Sequence, residues 1–459
     1  MTSTIKVNTI TTESGSTLTI GGCGKTVALA SGASQTGFGR SGSVNWQTTP
    51  KTATFTAADG EGYFINQSSA ITMNLPAGSP GAIVAVSDYA RNFATYNLTI
   101  SPNGSEKIGG QAQDAKLDIN GQAATFVYVD ATKGWVNVQN AEDTETGIPP
   151  FIGATGGTIT ECGNDRIHTF TGPGTFTVNR IATCCAAVNN LVSYVVIAGG
   201  GGGGGYYAGG GGGAGGYREV VSPGSPYTGS PTQGYPTPGN RITVTATSFP
   251  ITVGGGGTAG GDSSASGANN GTAGGTSTFS TITSAGGGFG VGHSGGGTQP
   301  TGGSGGSGGG GTGNCGASSG GAGNTPPVTP AQGTNGGNAQ ASPGDRGGGG
   351  GGGGTAAGSN GTPSPGTGGA GGVGATSSIN GTPTVRAGGG GGGNGQSSTS
   401  PAPAGGGGKG GLGSSPAPGA PGTAGTDNTG GGGGGAGGAP TSVGGAGGSG
   451  IVIIRYKFQ

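Results

Sequence analysis

The glycine content of residues 199–450 is the feature that most limits how this chain can fold. About 100 of the 124 glycines lie in that segment, roughly 40% of its residues, where globular proteins average about 7%. Nearly pure glycine runs recur within it, at residues 199–205, 209–213, 347–354, 388–393 and 430–435. With so few side chains to pack, the segment is either a flexible tether or an ordered structure held by backbone hydrogen bonds.

Two features favour order over the flexible tether that Gly/Ser-rich sequence usually forms. Gly-Gly-X triplets recur, as at residues 302–309, and proline-bearing breaks separate the glycine runs. The breaks lie at residues 223–238, 326–330, 363–365, 401–403 and 416–421. Polyglycine can adopt the polyproline II conformation, whose amides all point outward to neighbouring helices. The sequence therefore predicts a lattice of about ten polyglycine II helices with proline-bearing turns at their ends.

Apolar, strand-like runs bracket the glycine-rich segment. Residues 194–197 (YVVI) precede it and residues 451–456 (IVIIRY) follow it. Joining these strands across about 250 flexible residues costs roughly 5 kcal/mol of loop-closure entropy, which two short strands barely offset. An ordered lattice removes this difficulty, so the bracketing strands are predicted to close the bundle.

Residues 44–140 show an all-β pattern. The predicted strands are 53–56, 62–65, 71–75, 83–86, 98–100, 124–129 and 135–138. Turn formers separate them, for example Pro-Asn-Gly at 102–104 and Asn-Gly at 120–121. Short strands at spacings of about a dozen residues indicate a small sandwich or barrel.

The remaining segments complete the predicted domain organisation. Residues 1–43 form short strands and a low-complexity bridge, and residues 141–150 form a linker. Residues 151–198 form a β-hairpin section that residues 451–459 complete, and residues 199–450 are the polyglycine II domain. The predicted fold class is therefore all-β with an irregular glycine-rich part. Small β-sandwich modules precede a polyglycine II helix bundle closed by flanking strands, with no substantial α-helix.

Composition argues against several functional classes. With 17 basic and 17 acidic residues, the chain has no electrostatic footprint for nucleic acid or an anionic membrane. We expect neither a secretory signal nor a membrane span, because no suitable apolar run exists. The five cysteines have scattered spacings that predict neither a disulfide framework nor a metal site. Pairing of Cys162 with Cys184 or Cys185 across a hairpin stays open.

No catalytic arrangement stands out in the sequence. Residues 21–26 (GGCGKT) match a P-loop only in part, because the position that requires its first glycine is Thr19. His168 lies in a predicted hairpin strand, where we expect it to be packed or paired. His293 lies between glycine runs, where we expect it to be exposed. The chain is predicted to be no enzyme and to need no cofactor.

Several segments resemble parts of phage tail fibres. The order IHTFTGPGTFTV, YVVIAGGGGGGG, ITVGGGG and GGSGIVIIRYKF resembles a glycine-rich module of these fibres. The section from Trp46, with ATFTAADGEGYFI and MNLPAGSPGAIVAVSDYA, is similar to a β module of marine and cyanobacterial phage tail fibres. The opening STIKVNTITTESGS is similar to short N-termini of the same proteins. The resemblance implies a trimeric virion appendage with a virion-binding N-terminus and a distal end that recognises the host.

Under that hypothesis, the virion-attachment residues are Ile5, Val7, Leu18 and Ile20. The candidate receptor-contact residues lie in loops between apolar or glycine runs: Pro223, Tyr227, Tyr235, Pro326, Pro327, Pro401, Pro403, Pro416 and Pro418. The implied partners are further copies of the chain, tail or baseplate proteins, and a host cell-surface glycan or outer-membrane protein. Two alternatives stay open: a capsid or neck decoration or connector protein with no receptor role, and a polysaccharide depolymerase.

Overall fold

The computed structural model describes residues 44–139, 151–182, 187–262, 269–293, 300–313, 318–342, 345–363, 366–395, 405–413, 419–439 and 441–459. The chain divides into two compact units, Met1–Asn140 and Ala141–Gln459. Within the described ranges the fold is all-β, as predicted, with strands in several sheets and no α-helix. None of these ranges contains a helix long and apolar enough to cross a membrane. The predicted attachment residues Ile5, Val7, Leu18 and Ile20 and the predicted linker lie outside the described residues.

The first unit is a sandwich of two sheets. Its strands are β1 (Asn45–Lys51), β2 (Phe55–Thr56), β3 (Glu61–Ile65), β4 (Ile71–Asn74), β5 (Ile83–Asp88), β6 (Leu98–Ser101), β7 (Ala115–Leu117), β8 (Ala123–Asp130) and β9 (Gly134–Asn137). One sheet has the order β1-β3-β5-β8-β9 and the other β2-β4-β6-β7. Strands β1 to β6 alternate between the sheets and pair in parallel within each. This part of the chain therefore winds in one direction, like a short solenoid.

Alternating side chains along β8 explain why this sequence forms a sandwich. Phe126 and Tyr128 point into the core, whereas Val127 and Val129 face outward. Trp135 of β9 is fully buried in the same core, and burying such a side chain stabilises the fold by roughly 1.5–3 kcal/mol. Each of the seven predicted strands overlaps an observed one, and β1 and β7 are additional.

The second unit contains a larger sandwich at the base of the glycine-rich segment. Its strands are β10 (Gly153–Thr155), β11 (Thr158–Cys162), β12 (Asp165–Phe170), β13 (Gly174–Arg180), β14 (Leu191–Ile197), β15 (Tyr217–Val220), β16 (Ile242–Thr243), β17 (Ser248–Thr252), β18 (Ser277–Phe279), β19 (Ile282–Ser284), β20 (Gln340–Ser342), β21 (Asp345–Gly347), β22 (Ala375–Ser377), β23 (Thr384–Arg386) and β24 (Ile451–Lys457). The main sheets have the orders β10-β13-β17-β18-β19 and β11-β12-β24-β14-β15, with β16 beside β14. The pairs β20-β21 and β22-β23 are separate hairpins.

The two strands that bracket the glycine-rich segment pair with each other, as predicted. β24 lies between β12 and β14 and is antiparallel to both. All seven residues of β14 and six of the seven of β24 are buried, because side chains pack against both faces of this sheet. The closing strand Ile451–Lys457 is therefore a central strand of the base, and the segment between is held at both ends.

Residues 199–205 form a helix of three residues per turn that is hydrogen-bonded only to other segments. The amides of Gly199, Gly202 and Gly205 donate to residues 269–275 at N···O distances of 3.0, 2.9 and 2.7 Å. The amides of Gly200 and Gly203 donate to a second segment, and those of Gly201 and Gly204 donate to a third. The carbonyl groups of residues 199–205 accept hydrogen bonds from three further segments. The six neighbours are residues 210–213, 257–260, 269–275, 287–293, 433–436 and 442–448. This is the polyglycine II lattice predicted from the sequence.

Close backbone packing explains why the interior helices are pure glycine. A Cβ atom on Gly203 would lie 2.0 Å from the carbonyl oxygen of Gly434, far inside van der Waals contact. The other pure runs are likewise buried throughout. Peripheral helices bury only part of their surface: along residues 254–260, Gly254, Gly257 and Gly260 are buried and the residues between them are exposed. In the Gly-Gly-X segment 302–306 the glycines are buried and Ser304 is exposed. The buried interior helices are therefore pure glycine, whereas peripheral helices also accommodate Ser, Thr and Ala at outward-facing positions.

The lattice has a base end and an opposite end, here called the distal end. Ala198 and Gly450 connect the lattice to β14 and β24 at the base. At the distal end, residues 206–208 reverse the chain between the first two pure glycine runs. Asn269, His293 and Gly313, which each border a segment outside the described residues, hydrogen-bond to residues 205–208 there. Residues 205–208 therefore contact three further segments of the lattice at the distal end.

Cys162 at the end of β11 is a free thiol. Its two predicted alternative partners, Cys184 and Cys185, lie outside the described residues. Cys162 packs against the apolar cluster that includes Ile167 and Val195, and no disulfide among the described residues contributes to this part of the sandwich.

Candidate functional site

The turn at Tyr206, Tyr207 and Ala208 has an unusual backbone conformation. All three residues adopt the left-handed region, with φ values of 55°, 45° and 49°. Residues with large side chains rarely adopt this conformation, which costs of order 1–3 kcal/mol per residue. Glycine would fit the turn at far lower cost, in a segment where glycine is the commonest residue. The tyrosines at these positions therefore indicate a role other than stability.

Four side chains form what we call the distal cluster: Tyr206, Tyr207, His293 and Arg346. The Tyr206 ring stacks on the His293 imidazole, with ring centroids 5.5 Å apart and planes 11° apart. Tyr207 meets Tyr206 edge-on at 4.8 Å. The Arg346 guanidinium lies over the Tyr207 ring, 5.0 Å from its centroid. Aromatic and guanidinium groups thus meet at one point of the distal end.

The lattice backbone fixes the positions of these side chains. The Tyr206 amide donates to the carbonyl of Ser442 at 2.8 Å, and the His293 amide donates to the carbonyl of Gly205 at 3.3 Å. Asn269 Nδ2 donates to the His293 carbonyl at 2.8 Å. Arg346 follows in β21, which forms a hairpin with β20. Four separate segments therefore converge, each held by hydrogen bonds that involve its backbone.

His293 is buried, which corrects the expectation that it would be exposed. Only 9% of its surface is accessible, because the rings of Tyr206 and Tyr207 cover it. Its Nδ1 atom has no hydrogen-bond partner among the described residues. Burial lowers the pKa of His293, and the charge of Arg346 lowers it further, so the imidazole is neutral near pH 7. An unsatisfied buried nitrogen is another local cost to stability.

Arg346 is the charged group of the cluster, and its side chain is half-buried. The ion pairs found among the described residues are Arg166–Glu161 and Arg455–Asp165, and neither involves Arg346. Tyr206 and Tyr207 are also half-buried. The cluster therefore combines two partly accessible tyrosines with a guanidinium that no described carboxylate neutralises.

The described receptor-contact candidates lie at the base end, away from the distal cluster. Pro223, Pro326 and Pro327 are exposed. The Pro326 carbonyl accepts a hydrogen bond from Gln332 Nε2 at 2.8 Å, and the Gln332 carbonyl in turn accepts from Tyr217 of β15. Their receptor role stays a prediction.

The two tyrosines among these candidates take part in packing. Tyr227 is partly buried against the core beside β14, and Arg455 lies 5.3 Å from its ring centroid. Burial raises the pKa of Tyr227, and the nearby Glu219 raises it further. Tyr235 packs on the sandwich core and carries Arg241 over its ring at 4.4 Å. The remaining candidates, Pro401, Pro403, Pro416 and Pro418, lie outside the described residues.

A buried polar network holds one of the loops at the base. Glu219 is 2% exposed and accepts hydrogen bonds from Tyr217 Oη (3.0 Å), the Ser230 amide (2.8 Å) and Ser377 Oγ (2.6 Å). Ser377 belongs to β22, so the network ties the β22-β23 hairpin to β15. A carboxylate with three donors is stable when buried. We interpret this network as structural.

His168 is fully buried and paired, which confirms the prediction for this residue. Its Nδ1 lies 2.7 Å from the Gly156 carbonyl oxygen and its Nε2 lies 3.0 Å from Tyr456 Oη. Burial lowers its pKa, although the bond to Gly156 opposes that shift. In the described residues, no three His, Cys, Asp or Glu side chains are grouped so that they could hold a metal ion.

None of the four residues of the distal cluster is among the functional residues predicted from the sequence. The tyrosine pair between the first two glycine runs was a visible signal, but its neighbours His293 and Arg346 come from distant parts of the chain. A comparison with protein families matches residues 170–457 to a family described as a glycine-rich domain. No curated protein matches the chain.

Proposed function

The chain belongs to the glycine-rich domain family, and from this premise we propose that it is a structural phage tail fibre whose glycine-rich head recognises a host-cell receptor. The tail-fibre assignment comes from the sequence resemblance described above. Under this proposal the chain acts as a tail appendage of the virion, and Ile5, Val7, Leu18 and Ile20 bind other tail or baseplate proteins. The distal end of the lattice faces the host cell.

The observation that carries the proposal is the asymmetry of the lattice. Its base is closed by the β14-β24 pair, whereas the distal end carries the chain reversal at residues 206–208 and the distal cluster. Interior helices whose amides bond to neighbours on all sides have little conformational freedom. Loops on such a support lose less entropy on binding than loops on a flexible support. A stiff support that carries an aromatic and cationic cluster at one end suits an adhesin.

We further propose that copies of the chain associate, as a homotrimer, through the outer face of the first sheet. That face is apolar although it lies on the outside of the sandwich. Val129 is 48% and Val138 is 60% exposed. Trp46 is 40% exposed and stacks on Phe64 at 4.9 Å. Apolar residues on both faces are typical of a sheet that is covered on both sides.

Adsorption and location on the virion test the proposed function together. Labelled full-length chain should adhere to some strains in a panel of cyanobacteria and other marine bacteria. Excess unlabelled chain should block adsorption of the parent phage to those strains. Immunogold labelling should mark the tail. Labelling of the capsid or neck, with no adhesion of the chain to cells, would support a decoration or connector protein instead.

A further inference from the structure

We propose that the distal cluster is a binding site for an acidic saccharide, meaning a sugar that carries a carboxylate or phosphate group. This inference rests on the proposed adhesin function and names the ligand class for one described part of the distal end. None of the four residues belongs to the contact set predicted from the sequence.

Local costs to stability concentrate at this cluster. Tyr206, Tyr207 and Ala208 are three consecutive non-glycine residues in the left-handed region. Beside them, His293 keeps a buried ring nitrogen for which the described part of the chain offers no hydrogen-bond partner. Strained backbone and unsatisfied polar groups are found together at binding sites, where a function outweighs their cost. Stability alone would favour glycine at these turn positions.

The tyrosine pair supplies the surface for a sugar ring. Tyr206 and Tyr207 stand edge to face, with an interplanar angle of 85°, so their rings form two adjoining walls. The face of an aromatic ring carries negative potential and attracts the electropositive C–H groups of a pyranose. The phenol hydroxyls can donate to and accept from the sugar hydroxyls. His293 stacks behind Tyr206 and acts as a positioning residue for that ring.

Arg346 selects for negative charge on the sugar. Its guanidinium is partly accessible and is oriented by the Tyr207 ring. The planar fork of N–H donors matches the two oxygens of a carboxylate or phosphate. Because His293 is neutral, Arg346 gives the four side chains of the cluster one positive charge, and no described carboxylate pairs with it. An acidic sugar supplies both the C–H face and the anion that this arrangement complements.

The small size of the cluster favours a saccharide over a protein surface. A stable protein interface buries about 800 Å² on each partner, which four half-buried or buried side chains cannot supply. One sugar residue, by contrast, matches two tyrosine rings and one guanidinium. Repeated weak contacts of this size become strong when several copies of the chain bind one polymer.

Two variants of the full-length chain remove the proposed contacts without altering the turn. Tyr207→Asn removes one ring, and asparagine tolerates the left-handed conformation better than other residues. Arg346→Gln removes the charge. Arg241→Gln is the matched control, because Arg241 also lies over a tyrosine ring, that of Tyr235, at the base end. Each variant should unfold at the temperature of the parent chain within a few degrees.

The test measures binding of labelled chain to immobilised polygalacturonate, alginate, a phosphate-bearing teichoic acid, neutral dextran and outer-membrane protein stripped of glycan. We expect binding to at least one acidic polymer and none to dextran. Tyr207→Asn and Arg346→Gln should each weaken that binding by about tenfold or more, whereas Arg241→Gln should change it by less than about twofold.

Binding to dextran alone or to the stripped protein alone would overturn the proposal, as would acidic-polymer binding that neither cluster variant weakens. Failure with every acidic polymer, while the chain still adheres to host cells, would reject the ligand class and leave the adhesin function standing. Failure to adhere to any cell would instead reject the adhesin function itself.

Discussion

Ile197 and Ile451 are cross-strand partners in the β14-β24 ladder, so the residues on either side of the glycine-rich segment are neighbours in space. The chain leaves β14 after Ile197, forms the lattice and further strands of the base, and returns at Ile451 next to its starting point. This closure explains how a segment with few side chains is held in one arrangement. Both of its ends are fixed in a packed hydrophobic core, and the backbone hydrogen bonds of the lattice connect the rest.

Alanine at an interior glycine should destabilise the lattice strongly. In Gly203→Ala the new Cβ would lie 2.0 Å from the Gly434 carbonyl oxygen, so two helices must move apart and their hydrogen bonds must weaken. We expect a loss of at least about 1–3 kcal/mol in the free energy of unfolding, measured by urea denaturation.

Gly255→Ala is the matched control for that variant. No atom lies within 4 Å of the position that its Cβ would occupy, and its φ is outside the left-handed region. Alanine at this position reduces the conformational entropy of the unfolded chain. We therefore expect the free energy of unfolding to rise by about 0.4–1 kcal/mol or to stay unchanged. Equal effects of the two substitutions would contradict the close-packed lattice.

Breaking the buried ion pair at the base should cost far more than breaking the exposed pair beside it. Arg455 Nη2 lies 2.7 Å from Asp165 Oδ2, and both side chains are about nine-tenths buried. Because Asp165→Asn leaves the Arg455 charge uncompensated, we expect the free energy of unfolding to fall by about 3–5 kcal/mol. Glu161→Gln breaks the exposed pair with Arg166 and should cost about 0–1 kcal/mol. Thermal unfolding measures the stability of both variants. A similar loss of stability in the two would contradict the prediction that the buried ion pair contributes more than the exposed one.

Stability should fall as the pH is lowered below the ordinary histidine pKa. Burial lowers the pKa of His168 in the folded state, so between the unfolded pKa of about 6.5 and the folded value only the unfolded chain binds a proton. Ionisation of His168 therefore leaves the free energy of unfolding unchanged at pH values above about 6.5 and lowers it as the pH falls below that value. Urea midpoints at pH 7.5 and pH 5.5 measure the loss. In the variant His168→Gln the urea midpoint should fall less between the two pH values than in the parent chain. An equal fall in both proteins would show that other groups cause the pH dependence.

Charge on the outer face of the first sheet should separate the copies of the chain. The double variant Val129→Asp and Val138→Asp places two carboxylates where we propose that a neighbouring copy packs, and burying them there would be unfavourable. Light scattering should show a trimer for the parent chain and a monomer for the double variant. Asn103→Asp adds a charge at an exposed turn and should leave the trimer intact. A parent chain that is already monomeric would contradict the proposed association.

The sequence predicted the lattice and its closing strands better than it predicted the candidate site. Glycine spacing and the apolar runs around Ile197 and Ile451 are local signals, so they could be interpreted without a structure. The order of the helices in the lattice could not be predicted from the sequence, because glycine has no side chain to specify which run lies beside which. The polar strand β1, with Pro50 near its end, also lacks a strand pattern and forms because it pairs with β3.

The distal cluster shows a different limit. Tyr206 and Tyr207 were visible as an aromatic pair, but their left-handed backbone and their contacts depend on the lattice. His293 was expected to be exposed because its sequence neighbours are glycines. It is buried because the tyrosines of a distant turn, Tyr206 and Tyr207, cover it, and such a contact leaves no local signal in the sequence.

Hydrogen exchange of the amides in residues 199–205 tests the central claim most directly. In the lattice each of these amides donates to a neighbouring segment, and the run is fully buried. We expect protection comparable to that of the amides of β14 in the same molecule, and slower exchange than at the exposed Gly255. Exchange of residues 199–205 at random-coil rates, while β14 stays protected, would show that the glycine-rich segment is a tether and would contradict the lattice.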